Sequence, residues 1–372
     1  MIAEVAVDLD AIGRNARTLA RLVAPARLTA VVKANAYGHG LVPTARALAP
    51  HVVRLCVYAL EEAVVLRDAG IETPIHVLGP VHPGELDIAH AADVALTLWD
   101  DGLYARQVAS VARRRRRPFT VHAKIDTGVV RLGLTPAEAP AALARYATTP
   151  EFTLAGAFTH IAAAEELDST FTHEQLARFL DATRDLGPEV ERHAAATAAA
   201  MLWPETRLDA IRAGIGVYGI WPSIETETLM REQGVVLEPA LAWRTQIVAE
   251  HTIEAGASVG YGRTWYAARP SRIATLPIGY AEGLPRAAGN AAHALVRGRR
   301  VPLVGRVCMN MAFVDVTEVP AAAVGDTVTL IGSDGGETIS AEELARAAET
   351  IGYEIVARLP AHVPRRYDVP SI

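Results

Sequence analysis

The sequence predicts an α/β fold: a (β/α)8 TIM-like barrel followed by a C-terminal mostly-β domain. Three observations carry that expectation. Over residues 1–233, short apolar strands alternate with amphipathic helical stretches through eight steps, the number that closes a parallel barrel. From about Val236 the rhythm changes to short β-branched segments separated by turn residues. A chain of 372 residues is long for one domain and suits two.

In order, the candidate barrel strands are 28–32, 52–58, 75–78, 94–98, 120–125, 154–159, 190–194 and 210–212. Most are apolar runs of strand length, as expected where both faces of a parallel sheet are buried. Helix-like stretches lie between them at 11–22, 60–69, 102–116, 136–146 and 172–185. The boundary is expected in the irregular stretch 221–238, which divides the chain into 1–233 and 234–372. Beyond it, candidate strands are 241–250, 271–276, 294–296, 301–307, 313–316 and 327–330, with turn residues at Glu254-Ala255-Gly256, Gly298 and Gly325-Asp326. One helix, 340–351, interrupts them, with Ser340 and Glu343 at capping-box spacing.

Composition excludes several classes of function. Hydrophobic residues make up 51% and charged residues 21%, ordinary for a globular enzyme. A net charge of −6 argues against a nucleic-acid partner held by bulk charge. The arginine run from Arg113 to Arg117 precedes Pro118 and reads as a solvated helix end, where cations complement the helix dipole. Cys56 and Cys308 stand far apart, which suits a reducing compartment. Met1 to Asp10 carries acids and no long apolar core, so no signal peptide is expected, and no apolar stretch is long enough to span a bilayer. The expectation is a cytoplasmic protein. No His/Cys spacing resembles a metal site, and no metal is expected.

In such a barrel, catalytic groups follow the C-terminal ends of the strands. Lys33 meets that condition, at the end of an apolar run and before Ala34-Asn35-Ala36-Tyr37-Gly38-His39-Gly40. Desolvation at that place lowers an amine's pKa and prepares it to form a Schiff base with an aldehyde cofactor. Lys124 and Arg131 follow the fifth strand, His160 the sixth, Thr197 the seventh, and Arg212, Gly214 and Gly216 the eighth. Singly, each has a plainer reading: a snorkelling lysine, a satisfied core histidine, a surface ion-pair arginine. The run Ile211 to Gly219 fits a backbone anion cradle and a simple chain turn equally well. In the β domain, Gly260-Tyr261-Gly262 projects a phenol from a tight turn.

With these residues assembled, the chain closely resembles the alanine racemases, pyridoxal-phosphate enzymes built from an α/β barrel and a β domain. The most specific matches are Val32 to Gly40, Lys124-Ile125-Asp126-Thr127-Gly128 with Arg131-Leu132-Gly133, Gly260-Tyr261-Gly262, Ile351-Gly352-Tyr353-Glu354 and Val363-Pro364-Arg365-Arg366-Tyr367. The resemblance implies that Lys33 carries pyridoxal 5'-phosphate and acts as one acid/base. It implies that Tyr261, from the other subunit of a homodimer with shared sites, is the second. Tyr37, Thr197, Gly214, Ile215 and Tyr353 would hold the phosphate. His160 would lie against the pyridine ring and connect to Tyr261, and Arg212 would contact the ring nitrogen. Arg131 would meet the cofactor's phenolic oxygen and the substrate carboxylate, with Lys124, often carbamylated in the family, holding it in place. Tyr280 and Met309 would approach the partner's site.

The implied function is interconversion of L-alanine and D-alanine by a two-base mechanism, supplying D-alanine for peptidoglycan. A serine or broad-specificity racemase is the alternative. A barrel-type pyridoxal-phosphate decarboxylase ranks lower, because those enzymes generally use a partner cysteine where this chain has Tyr261. A non-catalytic cofactor carrier would need Lys33 and the cradle, but neither Tyr261 nor the β domain. Several positions depart from the family pattern: Ala196 and Thr197, Val129 and Val130, Glu282, Asn310 and His362.

Overall fold

The computed structural model describes residues 3–367. Met1 and Ile2, in the stretch read as lacking a signal peptide, and 368–372, at the end of the expected second domain, lie outside the described residues.

The first strand, β1 (Ala3–Val7), has no counterpart in the sequence reading. The next eight are the barrel: β2 (Arg27–Val31), β3 (Arg54–Val57), β4 (Ile75–Val77), β5 (Ala95–Leu98), β6 (Phe119–Lys124), β7 (Phe152–Phe158), β8 (Glu191–His193) and β9 (Ala210–Ala213). All pair in parallel, and β2 bonds both β3 and β9. Between β8 and β9 the ring closes through Asp209 N–H to Arg192 O at 3.1 Å and Arg212 N–H to Ala195 O at 3.0 Å. Every residue of β4 and β5 is buried, including the polar His76 and Thr97, which bond each other at 3.0 Å.

The barrel is inserted within the other sheet. β1 pairs antiparallel with β10 (Leu241–Gln246) and parallel with the short β20 (Arg365–Arg366), so both ends of the described chain lie in one sheet. The intervening strands are β11 (Ala249–Ile253), β12 (Ser258–Val259), β13 (Trp265–Tyr266), β14 (Ser271–Leu276), β15 (His293–Val296), β16 (Arg299–Pro302), β17 (Ala312–Asp315), β18 (Thr327–Asp334) and β19 (Glu337–Ile339).

The structure corrects several boundaries. The single strand expected over 241–250 is two, β10 and β11, in different sheets. Ile247 N–H turns to Asp326 O at 2.9 Å while Val248 N–H turns to Thr275 O at 3.0 Å, and the chain changes sheet there. The stretch 221–238, expected to be irregular, contains a helix, Ile224–Glu232, whose first turn is capped by Ser223 Oγ accepting from Thr226 N–H at 3.1 Å. The helix expected over 340–351 is shorter, Ala341–Ala347, and a second, Gly352–Ala357, carries Tyr353. The arginine run does close a helix, Leu103–Arg115, and it is ion-paired: Arg113 to Glu151 at 2.6 Å, and Arg115 to Asp87 at 2.7 Å. Cys56 and Cys308 are both free thiols, and burial pushes the Cys56 thiol up to about 11.

Candidate active site

At the C-terminal end of β2 the chain enters an unusual turn. Ala34, Asn35, Ala36 and Tyr37 take φ of 55°, 54°, 53° and 52°, a left-handed turn built without glycine. Each such residue costs about 1–2 kcal/mol in isolation. Neighbours hold the turn in place. Glu62 Oε1 accepts from Ala34 N–H at 2.6 Å, Asn35 Oδ1 accepts from Leu41 N–H at 2.9 Å, and His39 Nδ1 donates to Tyr37 O at 2.9 Å. Gly38 follows at φ +80°, and a Cβ there would lie 2.0 Å from Val356 O. Strain of this kind gathers at functional sites because the surroundings over-determine the backbone. It aims Lys33 into a cavity of about 830 Å³ at the open end of the barrel. Burial, and then the Arg131 cation, lower the Lys33 amine's pKa, with Glu62 opposing.

Ten of the residues singled out from sequence line this one cavity: Lys33, Tyr37, Lys124, Arg131, His160, Thr197, Arg212, Gly214, Ile215 and Tyr353. On one wall, Thr197 Oγ1 accepts from Gly214 N–H at 3.1 Å. A Cβ at Gly214 would sit 2.6 Å from the Tyr37 hydroxyl, so only glycine leaves that corner open. The Tyr37 and Tyr353 rings lie 6.3 Å apart, and burial raises the pKa of both phenols, keeping them hydrogen-bond donors. Backbone N–H groups, a hydroxyl and phenols around such a corner are the donor set a phosphate requires.

On the facing side, four of the five Arg212 N–H donors are committed to the barrel. Nη1 bonds His193 Nδ1 and His193 O, each at 2.8 Å, and Nη2 bonds Thr159 O at 2.7 Å and Ala194 O at 3.0 Å. Nε–H is the donor that remains. Burial pulls the Arg212 pKa down to about 10, so the group stays cationic at neutral pH. His160 is held neutral, its pKa pushed down to about 3 by burial and then by Arg212, Lys124, Arg131 and Lys33. Lys124 lies with its Nζ 4.9 Å from the Phe158 ring centre, and burial, then Arg212 and Arg131, take its pKa down to about 7.

Arg131 is presented by a loop wound on one carboxylate. Asp126 Oδ1 accepts from Gly128, Val129 and Val130 N–H at 2.9, 2.9 and 3.0 Å, and Oδ2 accepts from Arg131 N–H at 2.7 Å. Burial alone would raise the Asp126 pKa, but these four donors outweigh it and hold it below the ordinary value. Val130 pays for this winding in backbone strain, at φ +55° with its side chain 91% exposed. Val130→Asn, which tolerates that conformation, is expected to stabilise the protein by about 1 kcal/mol in denaturant unfolding. The same change at Val129, which has no positive φ, should bring no gain.

Three predicted residues lie outside the cavity lining of a single chain. Tyr261, Tyr280 and Met309 sit on the β domain, 72%, 41% and 58% exposed. Gly260 and Gly262 both take φ +72°, and a Cβ at Gly262 would meet Arg306 Nη1 at 2.5 Å, so the turn depends on both glycines. Residues the sequence did not single out also build the site. Glu62 holds the Lys33 turn and His193 holds Arg212. Glu62 could have been suspected from its place at the third position of the helix Leu60–Asp68, but nothing in the sequence points to Ala34 as its partner.

Comparison with known proteins accounts for this assembly. Family models for the alanine racemase N-terminal and C-terminal domains match residues 7–222 and 240–367. The chain belongs to the alanine racemase family. An alanine racemase of Symbiobacterium thermophilum is 42% identical, covering 97% of this chain and 96% of the relative, and one of Sorangium cellulosum is 40% identical over 98% of each. Among solved structures, the alanine racemase of Streptomyces lavendulae superposes with a TM-score of 0.92 at 34% identity, over 100% of this chain and 98% of its own. That of Bacillus anthracis with bound L-Ala-P gives 0.89 at 34%, over 100% and 96%.

Two of the positions that the resemblance marks as departures bond each other: Asn310 Nδ2 donates to Glu282 Oε1 at 2.7 Å. The Thr197 hydroxyl accepts from Gly214 and Gly216 N–H. Ala196 brings no side-chain donor to the cavity it lines. Nothing in the structure explains His362.

Proposed function

We propose that this chain is an alanine racemase that uses pyridoxal 5'-phosphate, held by Lys33 and by the Tyr37, Thr197, Gly214, Ile215 and Tyr353 corner. The observation that carries the reading is the shared cavity: a depressed lysine, an open anion corner and an arginine with a single spare N–H meet in one space. When bound, the cofactor supplies an electron sink that makes the substrate Cα–H acidic.

The chain's own residues do the rest. Lys33 Nζ takes or delivers a proton on one face of Cα, and the partner's Tyr261 does so on the other. With the cofactor bound, Arg212 Nε–H would serve the ring nitrogen as a donor that does not readily yield its proton, which would moderate the sink and disfavour proton return to the wrong atom. Arg131 orients the substrate carboxylate. His160, kept neutral, can accept a hydrogen bond from the tyrosine hydroxyl. Tyr280 and Met309 frame the partner's substrate entrance. This places a homodimer, cytoplasmic action and supply of D-alanine for peptidoglycan within the proposal. Exposure of Tyr261, Tyr266, Tyr280, Met309 and Met311 on the β domain supports a covered surface.

The test is a panel of L-amino acids given to the purified protein with cofactor, reading each mirror-image product. D-alanine formed fastest supports the reading; D-serine formed fastest shifts it to the serine racemase, and no D-product rejects it.

Lys124 belongs to the same proposal. With a pKa near 7 its neutral amine is available to add to carbon dioxide, forming an N–C bond and releasing one proton. The resulting carbamate would turn a cation beside Arg131 and Arg212 into their counter-charge. Under 13C-labelled carbon dioxide, a carbamate carbon signal is expected at pH 8 and should fade as the pH falls below about 6, where the amine is protonated. Lys124→Ala should lack the signal, and persistence of the signal in that variant would assign it elsewhere.

A further inference from the structure

Beneath the cavity, the barrel interior holds three buried histidines: His76 of β4, His122 of β6 and His193 of β8. Their partners fix where each proton sits. Arginine only donates, so Arg212 Nη1 at 2.8 Å makes His193 Nδ1 an acceptor. Burial, followed for His193 by the charge of Arg212, keeps these rings neutral, each pKa well below the ordinary value. The His193 proton is therefore on Nε2, and it is given to His122 Nδ1 at 3.0 Å. That places the His122 proton on Nε2, which has no protein partner.

Two further observations bear on the purpose of this arrangement. A buried donor left unpaired costs about 1–3 kcal/mol, which a phenylalanine of similar shape would avoid. His122 stacks on His76 with ring centres 4.3 Å apart, a contact phenylalanine would also make. Packing alone therefore does not account for the imidazole; its bond to His193 does. His122, Glu191 and His193 also bring potential metal-ligand atoms within 4.8 Å of one another. But Glu191 is ion-paired to Arg27 at 2.6 Å and Arg54 at 2.9 Å, and His193 Nε2 carries a proton, so a cation would meet arginines and an N–H.

We propose that His122 is a positioning residue: through His193 it orients Arg212, ending a hydrogen-bond wire whose donors all point one way, from Arg212 at the cavity into the barrel interior. This rests on the reading that Arg212 faces the cofactor's ring nitrogen. A loosened Arg212 would admit protonation of that nitrogen, and the stronger sink would favour proton delivery to the cofactor carbon. In that side reaction alanine's amino nitrogen stays with the cofactor as its amine form, and water releases the carbon skeleton as pyruvate.

The wire is read first without cofactor, in the full-length protein labelled with 15N-histidine. His76, whose Nε2 donates to Thr97 Oγ1 at 3.0 Å because that hydroxyl itself donates to Val77 O, and His122 and His193, assigned by single substitutions, should all appear as neutral Nε2–H tautomers; a His193 proton on Nδ1 overturns the proposal. The second arm compares His122→Phe, which keeps ring volume but removes the acceptor, with His122→Asn, which restores an acceptor near the Nδ1 position. In His122→Phe, racemase kcat should fall about tenfold and pyruvate released per turnover should rise, with the cofactor's visible band shifted. His122→Asn should recover both. A folded His122→Phe with unchanged band and partition overturns the proposal, as does equal disturbance in both variants. Should the phenylalanine variant not fold, the tautomer spectrum and His122→Asn, which must stay near wild type in band and partition, still decide. Wild-type protein that takes up no cofactor defeats the functional reading instead, while the tautomer spectrum judges the wire independently.

Discussion

Lys33→Ala should abolish the visible absorbance of protein-bound pyridoxal phosphate after dialysis and lower racemisation by at least about 10⁴-fold. Two losses combine in this one substitution. The covalent tether disappears, leaving only the phosphate corner to retain the cofactor, and one of the two proton shuttles disappears with it. The fold should survive. The left-handed turn is held by Glu62, the Asn35 side chain and backbone bonds, none of which involves the Lys33 amine. Removing a partly desolvated amine that lies near Arg131 should leave unfolding stability within about 1 kcal/mol. A dialysed Lys33→Ala protein that keeps its band would reject the anchor assignment. Loss of the band together with loss of folded signal would instead point to the turn. Glu62→Gln separates those cases: it weakens support of the turn while leaving the amine in place, so thermal stability should fall with the band still present.

The parts of this architecture that were legible share a physical cause. Most of the strands β2 to β9 are largely buried, so apart from polar positions such as those of β8 their sequences read as short apolar runs. Catalytic candidates followed from those strands, because a barrel places its chemistry at their C-terminal ends. What escaped depends on distant partners. Strand β1 is five residues long and pairs with β10, more than two hundred residues away. The Lys33 turn gives no local warning, since Ala-Asn-Ala-Tyr lacks the glycines that usually mark positive φ. Its support from Glu62 comes from the next βα unit. His76, His122 and His193 are polar residues inside strands, where the sequence pattern reads only an interruption; their meaning emerges when the barrel brings β4, β6 and β8 side by side. Helix Ile224–Glu232 was missed because Ser223 caps a segment whose inward face is just Thr226 and Met230, too narrow a stripe to stand out.

Tyr261→Phe addresses the one proposed acid/base that a single chain does not bring to its own cavity. Removing the hydroxyl should lower kcat by about 10²–10⁴-fold, the usual contribution of a positioned proton donor or acceptor. The loss should be lopsided. With Lys33 intact, Cα–H of one alanine enantiomer still meets a base, so its exchange with solvent deuterium should persist while exchange from the other nearly stops. Equal slowing from both would argue against two bases of different chemistry. The projecting turn makes a structural explanation easy to exclude, because Tyr261 is largely exposed and Gly260 and Gly262, not the phenol, set the backbone. Whether the hydroxyl serves its own chain or a neighbour is decided by mixing Lys33→Ala protein with Tyr261→Phe protein. If sites are shared across a dimer, random exchange makes half the dimers mixed, each with one whole site and one doubly deficient one, so roughly a quarter of wild-type activity should return. Proven subunit exchange without any recovery would place both groups in one chain's site, and Tyr261 would then have to reach Lys33 by a rearrangement of the β domain against the barrel.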